Sequence, residues 1–141
     1  MQRIAWIACT LAATVAPASA ADLTGVVSTA IAQTRTTNTG QPIDVPAHPT
    51  VIVSQTTIAP GARIRTHKHP YPHYVYVLDG TLTVVDEATG KTFQINRGGF
   101  FAEMTDRWHH GENRGTTMVR LVAIDQVPEG VARNMVMKPA Q

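Results

Sequence analysis

The chain has 141 residues, and its 12 basic and 10 acidic side chains nearly cancel. That balance leaves no basic stripe for nucleic acid or an anionic membrane surface, and the length holds one domain with one core. The single cysteine, Cys9, excludes a disulfide framework within the chain.

Residues 1–20, MQRIAWIACTLAATVAPASA, combine Arg3, an apolar run from about Ile4 to Val15 and the small-residue sequence Ala18-Ser19-Ala20. These are the parts of a secretory signal peptide cleaved near Ala20, and the run is shorter than the roughly 20 residues of a membrane span. The expected mature chain, residues 21–141, is therefore periplasmic or secreted, with no membrane anchor. Cleavage removes Arg3 and Cys9, so a metal bound by the mature chain must be held by nitrogen and oxygen ligands.

After residue 21 no apolar period of 3.6 residues is sustained. Short runs rich in Val, Ile, Thr, Tyr and Phe instead alternate with Gly, Pro and Asn. The predicted strands run over 26–34, 50–58, 63–67, 74–78, 81–86, 92–95, 100–104 and 117–124. Ala59-Pro60-Gly61, Asp79-Gly80, Glu87-Ala88-Thr89-Gly90 and Arg97-Gly98-Gly99 supply turns between them. About eight short strands with close turns predict an all-β antiparallel barrel or double-sheet jelly roll. Its core spans about residues 50–125, and residues 127–141 read as a loosely ordered tail.

The run HKHPYPH carries His67, His69 and His73, and His109 follows about forty residues later. His67 and His69 are two apart, so on a strand both imidazoles face one way. His73 returns toward them across a bend stiffened by Pro70 and Pro72. A histidine from a neighbouring strand would complete four nitrogens, a set suited to one divalent transition metal ion such as Fe, Mn, Ni, Cu or Zn. His110, adjacent to His109, falls on the opposite face. His48, between Pro46 and Pro49, reads as an exposed loop residue.

If His73 faces inward, Val75 and Val77 follow it, and Tyr74, Tyr76 and Leu78 face out, where they can support a homodimer. Phe100, Phe101, Met104 and Trp108 are candidate lining for a small hydrophobic substrate. Arg65 shares the parity of His67 and His69 and can be placed at the barrel mouth. Glu103 is a candidate general base or substitute ligand.

These residues resemble the two motifs of the cupin superfamily. The first, G-x5-H-x-H-x3-E-x6-G, is met by Gly61, His67, His69 and Gly80, with His73 at the glutamate position. The second, G-x5-P-x-G-x2-H-x3-N, is met by Gly90, Gly98, His109 and Asn113, with Asn96 in place of proline and a longer interval before His109. The resemblance implies a double-stranded β-helix whose motif histidines point inward at one divalent metal: His67, His69 and His109, with His73 as the fourth. It also implies a metal-dependent oxidoreductase of dioxygenase type acting on a small organic substrate. Two alternatives stay open. One is a metal-dependent isomerase or lyase, and the other a non-catalytic periplasmic binder of a metal or small ligand.

Overall fold

The structure, a computed structural model, describes residues 25–140. The expected leader and Cys9 lie outside the described residues. Nine strands follow in chain order: β1 (Thr50–Ile58), β2 (His67–Lys68), β3 (His73–Asp79), β4 (Thr81–Asp86), β5 (Thr92–Asn96), β6 (Phe100–Ala102), β7 (His109–Glu112), β8 (Val119–Val127) and β9 (Val136–Met137). They form a four-stranded sheet ordered β1-β8-β3-β6 and a five-stranded sheet ordered β5-β4-β7-β2-β9. Every pairing between named strands is antiparallel, and no helix occurs among the described residues.

The alternation of side chains builds the core. On β8, Val119, Leu121, Ala123, Asp125 and Val127 are buried, and the residues between them are more exposed. β3 sends Val75 and Val77 inward beneath His73, as its sequence predicts, and β4 contributes Leu82 and Val84 from the facing sheet. Ile58, Ile95 and Met104 complete the cluster. The β3–β4 hairpin requires Gly80: its φ is +74°, and an added Cβ would sit 2.6 Å from the Met118 carbonyl oxygen.

Four expectations change. Residues 26–34 form no named strand and are exposed throughout, because no described strand pairs along them. The segment 63–67 is broken. Arg63 makes only an isolated bridge to Glu112, and the chain bends at Thr66, where the His67 imidazole bonds the Arg65 carbonyl. That bend shifts the parity: Ile64 faces the interior, and Arg65 lies exposed on the outside with Arg63 and Lys138.

The supposed tail is structural. β9 pairs with β2, His67 opposite Met137, and Asn134 is buried just before it. Finally, the large apolar candidates do not line the central cavity. Met104 is core, Phe101 packs on the core, Phe100 stacks on Tyr74, and Trp108 lies under the Lys68 ammonium, 5.1 Å from its ring.

Candidate metal centre

β2 and its flanking bridge present His67 and His69, β7 presents His109, and the segment after β6 presents Glu103. All four side chains are buried. Register brings the histidines together: His67 on β2 lies directly opposite His109 on β7. The donor atoms of His67, His69, Glu103 and His109 all lie within 4.8 Å of one another. Opposite donors around one ion at bonds of about 2.1 Å lie roughly 4.2 Å apart, so the set can close on a single cation.

Backbone carbonyls fix which nitrogen each ring offers. The Nδ1–H groups of His67, His69 and His109 donate to the carbonyls of Arg65 (2.7 Å), Asn134 (2.5 Å) and Arg107 (2.8 Å). Each Nε2 is thereby left as the lone-pair nitrogen, the tautomer a metal ligand needs. Glu103 Oε2 lies 3.2 Å from His69 Nε2 and 3.3 Å from His109 Nε2, yet neither nitrogen makes a hydrogen bond of acceptable geometry. Two buried, unpaired nitrogens beside a carboxylate are costly unless a cation or proton sits among them. The residues present therefore fit a divalent ion.

The electrostatics agree. Burial lowers the His67 imidazole to about 4 and lowers that of His69, so both rings are neutral and ready to bind. Burial alone would raise the Glu103 carboxyl, but the facing His109 and His69 imidazoles outweigh it and hold Glu103 well below the usual carboxylate range. Burial would lower His109, and the Glu103 carboxylate reverses this and raises it.

His73 joins the group through a second donor set, His69, His73 and Asp125, whose donor atoms also lie within 4.8 Å of one another. Its ring stacks on His69 at 3.8 Å between centroids, with planes 3° apart. His73 donates its Nδ1–H to Asp125 Oδ1 at 2.7 Å, and its Nε2 lies 3.5 Å from Glu103 Oε2.

Asn134 ties this group to the C-terminal segment. Its amide accepts from the Tyr71 N–H (3.0 Å) and donates to the Tyr71 carbonyl (3.0 Å) and Asp125 Oδ1 (2.7 Å). Pro70 and Pro72 have no N–H, so Tyr71 is the one donor in the bend, and Asn134 takes it. Asn113 is likewise buried and positional, donating to the carbonyls of Ile58 and Thr117.

Sequence reasoning missed Asp125 and Asn134. Asp125 had a signal, since it occupies the inward row of Val119, Leu121 and Ala123. Asn134 had none, because its partners in the histidine segment, His69 and Tyr71, lie more than 60 residues away in the chain.

A cavity of about 250 Å³ opens against the cluster. Its apolar wall includes Ile52, Val75, Val84 and Leu121, and Ser54 and Thr56 of β1 add hydroxyls. His67, His69, His73, Glu103 and Asp125 form its polar wall, and residues 132–135 also border it. The enclosure suits a small organic molecule seated beside a metal.

Comparison with solved structures places this architecture among known barrels. The chain is similar to a double-stranded β-helix protein from Klebsiella pneumoniae (TM-score 0.53, 16% identity, 67% of this chain and 90% of that one). It also resembles the polyketide cyclase RemF from Streptomyces resistomycificus (TM-score 0.52, 18% identity, 65% and 64%). A third likeness is to oxalate decarboxylase from Lactobacillus farciminis (TM-score 0.54, 20% identity, 62% and 26%). The chain thus spans somewhat under two thirds of the cyclase and about a quarter of the decarboxylase. At these identities the likeness is one of fold. No curated protein matches the chain significantly in sequence. The Cupin domain model matches residues 54–125, just over half of the chain and the stretch that carries every clustered histidine and carboxylate, so the chain belongs to the cupin family.

Proposed function

We propose that the chain is an exported metal-dependent oxidoreductase of dioxygenase type that acts on a small organic substrate held in the central cavity. The observation that carries this reading is the convergence of unpaired His69 and His109 Nε2 atoms with His67 and Glu103 at the wall of an apolar cavity. In this reading His67, His69, His109 and Glu103 hold the ion. A metal bound there supplies Lewis acidity and, if redox-active, a route for electrons between substrate and O2. The protein's own contribution is orientation and exclusion of water: carbonyl bonds lock three rings, and the apolar wall holds the substrate against them. His73, backed by Asp125, presents Nε2 toward Glu103 and can hold or pass a proton at that atom.

The same His73–Asp125 pair favours a second reading, a metal-dependent isomerase or lyase in which proton transfer is the main chemistry. The test is elemental analysis of protein exported from cells and purified without added metal, followed by oxygen uptake against a panel of small phenols and diketones. A redox-active metal with substrate-dependent oxygen consumption supports the oxidoreductase. A redox-inert ion with no oxygen consumption displaces it in favour of the isomerase or lyase. Export is tested by the mature N-terminus, expected at Ala21.

A further inference from the structure

The wall of the central cavity is buried along most of its lining, and its exposed part marks the mouth. Of the residues that line it, only Ser54, Ala132 and Arg133 are exposed. Ser54 stands on β1, and Ala132 and Arg133 precede β9, so the cavity opens between β1 and the C-terminal segment. His67, His69, Glu103 and Asp125 belong to the buried part.

No lysine and no arginine other than Arg133 lines this cavity. Its Nη2 donates to the Met135 sulfur at 3.6 Å, and Met135 also borders the cavity, so the guanidinium lies along the rim. It meets no carboxylate among the described residues, whereas Arg63, Lys68, Arg107 and Arg114 each pair with one. The backbone beneath it is held. Asn134, next in the chain, is buried, with its carbonyl on His69 and its side chain on Tyr71 and Asp125. Strand parity alone assigns the barrel mouth to Arg65, but the bend at Thr66 turns Arg65 outward, and Arg133 takes that place from the C-terminal segment.

The charge pattern selects an acid. A divalent ion at the candidate centre would balance the Glu103 and Asp125 carboxylates, which leaves the Arg133 charge without a counter-charge along the cavity. A planar guanidinium meets a carboxylate with two parallel hydrogen bonds. We propose that the substrate is a small monocarboxylic acid whose carboxylate is held by Arg133 at the cavity mouth, with its apolar body directed inward toward the His67, His69, His109 and Glu103 cluster. This assignment names the substrate class of the reaction proposed above and rests on the central cavity being the substrate site. Arg133 is then a specificity-determining residue: it fixes which end of the molecule stays outside. Its fixed backbone limits the ordering cost of that contact, and its exposure makes the attraction sensitive to salt.

The test is equilibrium binding of small monocarboxylates, from acetate to phenylacetate, each against its primary amide. The protein is the exported chain as purified, with oxygen excluded and metal content measured alongside. At least one acid should bind about tenfold or more tightly than its amide, and added salt should weaken the acid alone. Arg133→Gln should remove that preference at unchanged metal content, Arg133→Lys should keep part of it, and Arg133→Glu should reverse it. The proposal is overturned if no acid is preferred over its amide. It is also overturned if the preference survives Arg133→Gln, which would put the carboxylate on the bound ion, or if Arg133→Gln loses the ion. Oxygen uptake is not the readout, so a failure of the oxidoreductase reading leaves an Arg133-dependent preference for acids standing, and the reverse holds too.

Discussion

His109 and His110 are neighbours on β7, both buried, and only one of them belongs to the candidate metal centre. His110 faces outward and is satisfied by carboxylates: its Nδ1 bonds Glu87 Oε1 at 2.6 Å, and its Nε2 lies 3.8 Å from Glu112. Arg63 and Thr66 close the same network around Glu87. His109 faces inward, bonds one backbone carbonyl, and leaves Nε2 unpaired among three other donors. Burial therefore does not mark a ligand. An unsatisfied nitrogen aimed at others of its kind does, because the inner face is stable only when something positive fills it.

Replacing one histidine of each face sets the sharpest contrast. His109→Ala should abolish stoichiometric metal, as should His67→Ala, whereas His110→Ala should keep one ion per chain; elemental analysis of the purified variants reads the difference. Equal metal loss in His109→Ala and His110→Ala would break the comparison.

Acid separates the faces next. In the metal-free chain an unfolded histidine takes up a proton near pH 6.5, but buried His67 does so only near 4. Between those values the unfolded state binds more protons, so stability falls as pH falls, by about 3 kcal/mol from His67 alone. On the outer face, burial would raise the Glu87 carboxyl, but His110 and Thr66 outweigh it and lower it. That contribution is present above the ordinary carboxylate range and is lost only as pH falls through the lowered value. Denaturant titrations from pH 7 to 4 should therefore show His67→Ala flattening the upper part of the loss.

Within the inner face, Glu103→Gln should lower metal affinity about 100-fold, and His73→Ala by less than about 10-fold, measured by competition with a chelator. A greater loss for His73→Ala would make His73 the fourth ligand in place of Glu103. Asn134→Ala keeps the carbonyl that orients His69 but frees the segment that carries it. Its expected cost is a few-fold to about 10-fold in metal affinity, with faster hydrogen exchange across residues 131–138.

How legible each part was follows from where its determinants lie. β1 and β4 stand over the residues their sequences predict, because β-branched runs end at Pro60-Gly61 and at the turn before Gly90. β7, HHGE, has no strand-like composition and exists because β4 pairs with it. Residues 26–34 have strand composition but no described partner, and pairing, not propensity, makes a strand. In the site, His67, His69 and His109 were readable from spacing. Asp125 was readable only as an inward position of β8 and Asn134 not at all, since their roles arise only when β8 and the C-terminal segment fold over the Pro70–Pro72 bend.

The most direct test of the metal centre is X-ray absorption of the chain purified without added metal, with ion content measured on the same sample. One ion per chain with a shell of about three imidazole nitrogens and a carboxylate oxygen is expected. A chain that carries no ion after export, or one whose bound ion has no imidazole neighbours, would contradict the convergence of His67, His69 and His109 on a cation.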